Sequence, residues 1–78
     1  MKRRYQLIRF RKERNWFQRD VVTKLNKEYG FNISVSYYGM IEQGTRTPKL
    51  NLAFAIADVF DKSISEIFFC NQHNKMLG

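Results

Sequence analysis

Ser34-Val35-Ser36-Tyr37-Tyr38-Gly39-Met40-Ile41-Glu42-Gln43-Gly44-Thr45-Arg46-Thr47-Pro48 is the stretch on which the reading of this 78-residue chain turns. A serine, nine residues free of proline, then a glycine have the form of a short helix with both ends marked. Ser34 supplies an N-cap oxygen for a free N–H of the first turn. Gly44 supplies the residue that can turn left-handed past the last one. A helix is therefore predicted over Val35–Gln43. Tyr38 and Ile41, three apart, share its inward face, which leaves Val35, Ser36, Tyr37, Gly39 and Met40 outward. Thr45 to Pro48 then reads as a turn, with Thr47 as N-cap and Pro48 as first residue of the next helix.

Working outward, Leu50 to Phe60 is almost all apolar or small, the pattern of a helix central to a core. Ser63-Ile64-Ser65-Glu66 has the form of a capping box and opens a fifth helix through Ile67, Phe68 and Phe69. Upstream, Tyr5 to Arg14 sets Leu7, Ile8 and Phe10 against a basic outer face, with Asn15 as its stop and Trp16 folding back onto the core. A second helix starts at Gln18 and turns Val21, Val22 and Leu25 inward. Asn26 to Tyr29 can extend it by a turn, and Gly30 can end it. Phe31 to Ile33 reads as an extended connector; a strand over Phe31–Tyr38 ranks lower, for want of a partner strand. The expected fold is all-α, five short helices in one compact domain.

Composition narrows the function. Hydrophobic residues make up 44% of the chain, enough for a core. A single cysteine, Cys70, rules out an intrachain disulfide and fits a reducing compartment. The basic N-terminus lacks the apolar run of a signal peptide, and Leu52 to Ala57 is too short to span a bilayer, so a cytoplasmic protein is expected. The net charge is +7, and residues 1–27 hold ten basic and two acidic side chains. Such a front points to a polyanion, above all nucleic acid, with a merely solubilising face as the bland alternative. Catalysis finds little footing. His73 is the only histidine and forms an isolated C-x-x-H with Cys70, short of the ligands zinc needs. No triad, phosphate-cradling glycine pair or helical carboxylate pair is present. No enzyme, cofactor, metal or small-molecule ligand is expected.

The stretch from Ser34 to Pro48 resembles the Cro/C1-type helix-turn-helix family, the lambda-repressor-like DNA-binding domains. The family pattern of a Ser N-cap, I-E-x-G, a short basic loop and proline is matched by Ser34, Ile41, Glu42, Gly44, Arg46 and Pro48. The resemblance continues into the L-x-x-A-x-A-I-A-x-V-F-like fourth helix and the S-I-S-E-I-F-F-like ending. Upstream it takes in Arg11-Lys12-Glu13-Arg14-Asn15-Trp16-Phe17-Gln18. It covers about residues 5–69, with 1–4 as a basic N-terminal arm and 70–78 as a polar tail. One departure stands out: Lys27 to Asn32 lengthens the turn between the second and third helices. Either the second helix runs a turn longer or the loop bulges out.

The resemblance implies that the third helix enters the major groove, where Val35, Ser36, Tyr37 and Met40 would meet bases. Tyr37 has a structural alternative. Gln18 and Arg19, at the start of the second helix, would meet phosphate, as would Gln43, Thr45, Arg46 and Lys49 around the following loop. Lys2, Arg3 and Arg4 would either lie along the backbone or be disordered. Arg11 and Glu42 fall where the family forms a partly buried ion pair. Gly39, costly in mid-helix, implies close approach by the second helix or by DNA.

The function expected is thus a sequence-specific double-stranded DNA-binding transcriptional regulator, a repressor of phage or mobile-element type in a bacterial cytoplasm. It would act as a homodimer through Phe68, Phe69, Met76 and Leu77. The rival is a protein-interaction module of the same fold, an antitoxin or anti-regulator. No membrane partner is expected.

Overall fold

The computed structural model describes residues 3–69, in which four α-helices are followed by a π-helical turn. The helices are α1 (Tyr5–Glu13), α2 (Gln18–Glu28), α3 (Val35–Gln43) and α4 (Leu50–Val59), and the turn is Ser65–Phe69. No strand occurs among the described residues. The core draws on every element: Leu7 and Phe10 from α1, Val21 and Leu25 from α2, Tyr38 and Ile41 from α3, Ile56 from α4, then Phe60 and Ile67. Burying each such side chain contributes about 1.5–3 kcal/mol before entropy is counted.

Both ends of α3 follow local chemistry. Ser34 Oγ accepts the Tyr37 N–H at 3.0 Å. Gly44 takes φ 85°, a conformation that a side chain would strain, and its N–H closes on the Ile41 carbonyl at 3.2 Å. α1 ends at Glu13, with Asn15 left-handed at φ 58°. Arg14 then seals two helix ends at once, donating to the Phe10 carbonyl at 3.0 Å and to the Phe60 carbonyl at 2.8 Å. Trp16 folds back to meet Phe60, their ring centroids 5.7 Å apart.

The lengthened turn resolves as a longer helix and a tied loop. α2 continues through Lys27 and Glu28, and Gly30 turns the chain at φ 76°. Asn26 then grips the returning segment: its Nδ2 donates to the Ile33 carbonyl and its Oδ1 accepts the Ile33 N–H, both at 3.0 Å. Tyr29, Phe31 and Ile33 pack against the core, and Tyr29 Oη donates to Asp58 Oδ2 of α4 at 2.6 Å. The extra residues thereby brace α2 to α4 rather than bulging away.

Three expectations need correction. α4 begins at Leu50, not Pro48; its N-cap is Lys49, with φ −67° and ψ 163°, and Thr47 caps nothing. Proline biases its predecessor towards extended backbone, and the chain stays extended through Lys49. α4 is also less enclosed than its composition suggests, since Leu50 and Phe54, one turn apart, are 62% and 54% exposed. The last element is π-helical rather than α-helical. Its entry is nonetheless a capping box: Glu66 Oε2 accepts the Ser63 N–H at 3.1 Å and the Ser63 hydroxyl at 3.0 Å. The Phe69 side chain and residues 70–78, including Cys70, His73, Met76 and Leu77, lie outside the described residues.

Candidate nucleic-acid interface

α2 and α3 meet at the N-terminus of α2. Gln18, the first residue of α2, donates Nε2 to Glu42 Oε1 at 3.0 Å, while its Oε1 lies 3.3 Å from where a Cβ on Gly39 would sit. A Cβ at Gly39 would thus press on the flexible end of Gln18, a tight contact with α2 rather than a clash with backbone. Glu42 is 2% exposed and is held bidentate by Arg11, Nε to Oε2 at 2.7 Å and Nη2 to Oε1 at 3.0 Å. Arg11 also donates to the Trp16 carbonyl at 3.0 Å. The bond to Glu42 holds the Arg11 guanidinium above its ordinary pKa. A buried carboxylate with three charge-assisted or amide donors is well satisfied. The buried Tyr38 hydroxyl has no hydrogen-bond partner, and burial first, then the Glu42 charge, holds its pKa far above the ordinary range.

With Tyr38, Ile41 and Glu42 committed inward, α3 shows a different stripe to solvent. Ser36, Met40 and Gln43, spaced by four and three, lie on one side and are all exposed, with Val35 beside them at 41%. Tyr37 is only partly exposed and packs against the core, so its ring has a structural task. The α3–α4 loop folds over the end of the same helix. The Met40 carbonyl accepts the N–H of Thr45 at 3.0 Å, the N–H of Arg46 at 3.3 Å and the Thr45 hydroxyl at 3.2 Å. Arg46 and Lys49 project from this loop into solvent, and neither forms a salt bridge among the described residues. Arg19 is exposed on α2 with its guanidinium 4.7 Å from the centroid of the exposed Phe17 ring. Gln18 meets Gly39 and Glu42, and the Thr45–Arg46 backbone hangs from Met40. These contacts set the α2 N-terminus beside α3 and the loop at its C-terminal end.

The basic front is divided in its use. Arg4, Arg11 and Arg14 spend their donors on the protein itself, two of them largely on backbone carbonyls. Arg9 pairs with Glu13 at 3.6 Å and Lys24 with Glu28 at 3.8 Å, both in exposed or half-exposed settings of little energetic weight. Arg3, Lys12, Arg19, Lys27, Arg46 and Lys49 are exposed. Sequence reasoning missed the carbonyl-bonding roles of Arg4 and Arg14, because no local pattern separates such an arginine from a solvated one. Gln18 is also more enclosed than its expected phosphate role requires, with its amide turned to Glu42.

A helix-turn-helix family model matches residues 7–67. The chain belongs to the Cro/C1-type helix-turn-helix family. This Cro/C1-type domain is accordingly a DNA-binding regulator by family, and the family is not typically enzymatic. Comparison with curated proteins and with solved structures gave no match. Among the described residues no helix of the Cro/C1-type domain is long and apolar enough to cross a membrane, and no group of three His, Cys, Asp or Glu side chains could hold a metal ion.

Proposed function

We propose that the chain is a sequence-specific transcriptional repressor that lays α3 in the major groove of double-stranded DNA. The observation that carries this reading is the exposed stripe Ser36–Met40–Gln43, followed in the next loop by the exposed Arg46 and Lys49. Ser36 can donate to or accept from a base edge, and Val35 and Met40 offer apolar contact to a thymine methyl. The stripe holds no arginine, and its one amide side chain able to make a bidentate base contact, Gln43, sits in the last turn of α3 rather than the first. DNA shape therefore carries a large share of the sequence preference, and phosphate contacts a large share of the affinity. Arg46, Lys49, Thr45, Gln43 and Arg19 are the proposed phosphate contacts, joined by Gln18 through the free N–H groups that open α2.

A homodimer on paired half-sites about one helical turn apart is the corresponding assembly, in a bacterial cytoplasm on phage or mobile-element DNA. Its proposed surface is the C-terminal segment. Phe68 supplies less of it than the sequence suggests, being partly buried against the core.

The test is affinity for random-sequence duplex DNA at low and moderate salt, for wild type, Arg46→Ala and Tyr37→Ala. With five to eight phosphate contacts the log–log salt slope is about −4 to −7. Arg46→Ala is expected to make it shallower by about one. No binding by wild type at low salt would remove the regulator reading and favour the protein-interaction alternative. Sedimentation showing a monomer both free and on selected operator DNA would remove the dimer.

A further inference from the structure

Arg4 stands just before α1 and is bonded into the far side of the domain. Its N–H donates to the Glu42 carbonyl at 2.8 Å. Its Nη1 donates to the Ile41 carbonyl at 2.7 Å and to the Arg46 carbonyl at 3.1 Å, and its Nη2 reaches Thr47 Oγ1 at 3.4 Å. The guanidinium carbon lies 5.1 Å from the centroid of the Phe68 ring. The partners thus come from the last turn of α3, from the α3–α4 loop and from the π-helical turn. The residue counted with the N-terminal arm is part of the packed domain.

The chemistry of the group explains why it can act here. A guanidinium offers its donors in a rigid planar fork, so atoms that share it are fixed relative to one another. Ile41 O belongs to the helix that carries the outward stripe, and Arg46 O belongs to the loop that carries the exposed cations. The loop's other anchors are the Met40 carbonyl, which fixes Thr45 and the Arg46 N–H but reaches no further, and the buried Pro48 ring, which makes no bond to the Arg46 carbonyl. Arg4 supplies the hold on the Arg46 carbonyl and on Thr47. Its charge meets no carboxylate among the described residues. It sits instead on the carbonyl end of α3, where the helix dipole favours a cation. The Phe68 ring walls the group and adds a cation–π contact.

We infer that Arg4 is a positioning residue for DNA binding: it sets the α3–α4 loop at a fixed place relative to α3, with Phe68 as its backing, and does not itself touch phosphate. This rests on the reading that the loop contacts the DNA backbone.

The experiment compares wild type with Arg4→Lys, Arg4→Met and Phe68→Leu. The readouts are affinity for random-sequence duplex DNA across salt, the thermal midpoint, and amide hydrogen exchange at Thr45, Arg46 and Thr47. Arg4→Lys keeps the charge and loses the fork. It is expected to weaken DNA binding about tenfold, as Arg4→Met does, with a salt slope shallower than that of wild type in both variants, because the displaced loop loses phosphate contacts, and with loop amides exchanging faster. Phe68→Leu is expected to move the same amides in the same direction, by less. The inference falls if Arg4→Lys binds as wild type while Arg4→Met loses about one unit of salt slope, the mark of a direct phosphate contact. It falls also if both Arg4 variants lower the midpoint and leave DNA affinity and loop exchange unchanged. Should wild type fail to bind DNA, faster loop exchange in Arg4→Lys still supports the positioning of the loop, and the DNA reading fails separately. Unchanged exchange in that case overturns both.

Discussion

The Gln18 side chain lies against the bare face of Gly39, its Oε1 3.3 Å from the position a Cβ would take. Two effects then oppose each other in Gly39→Ala. Alanine favours the middle of a helix by about 1 kcal/mol, while the methyl group pushes Gln18 back by a few tenths of an ångström. Gln18 is a flexible side chain, and Glu42 keeps both Arg11 bonds without it. Gly39→Ala is therefore expected to raise stability slightly, by less than about 1 kcal/mol. It should stabilise more in a Gln18→Ala background. Urea denaturation of the four proteins of this cycle measures both; equal effects in the two backgrounds would show that the contact has no energetic weight.

Arg11→Ala should be the most damaging single change. It leaves Glu42, 2% exposed, with only the Gln18 amide as partner. Removing one member of a buried pair costs about 3–5 kcal/mol, most of the stability of a domain this small. The double variant Arg11→Met/Glu42→Leu is expected to recover more than half of the loss, because it removes the stranded charge. Denaturant midpoints for the single and double variants decide this.

Asn26 makes two bonds to Ile33 that define the α2–α3 loop. Asn26→Ala should cost about 1–2 kcal/mol and selectively accelerate amide exchange at Ile33. Core amides such as that of Leu25 should slow or hasten only with global stability. Unchanged exchange at Ile33 would mean that the packing of Phe31 and Tyr29 holds the loop unaided.

Alkaline pH should reveal the Tyr29–Asp58 contact. The hydrogen bond to Asp58, then burial and the Asp58 charge, pushes the Tyr29 phenol up to about 12 from its ordinary 10.0. A raised tyrosine pKa means that the folded state favours the protonated form. The contribution is thus complete below pH 10 and is lost as pH rises towards 12. The stability difference between wild type and Tyr29→Phe should be flat up to the lower value and shrink above it. Glu66 behaves in the opposite sense. Its bonds from Ser63 hold its pKa below the ordinary 4.5, so its contribution is present above that value and is lost on acidification. Denaturant titrations at stepped pH, against Glu66→Gln, show the second effect.

What the sequence made legible was set by neighbours along the chain. Ser34 and Gly44 mark α3 because both caps act within one turn, and Gln18 opens α2 where expected. The pairing of Arg11 with Glu42 was reachable only through the family pattern, since thirty-one residues separate the two. The start of α4 differs from the local reading because the chain stays extended through Lys49, and Thr47, a good cap by its neighbours, meets Arg4 instead. The split use of the arginines was hidden for the same reason: a guanidinium finds distant carbonyls only once the helices have assembled. Base-contact candidates at Val35, Ser36 and Met40 followed from which face Tyr38 and Ile41 take. Tyr37, between the two faces, could not be assigned by spacing and proves to pack on the core.

The bonds of Arg4 also bear on synthesis. Its side-chain partners lie 37 to 43 positions later in the chain, and Phe68 lies beyond them all. At about 5–20 residues added per second, Arg4 waits several seconds for these partners. A nascent chain can wind α1, α2 and α3 in order, yet the loop beside α3 acquires its final hold only when the C-terminal turn has arrived. The side of the domain that joins α3 to the following loop is therefore finished late, and a chain that stops short of Phe68 holds that loop less firmly than one that includes it.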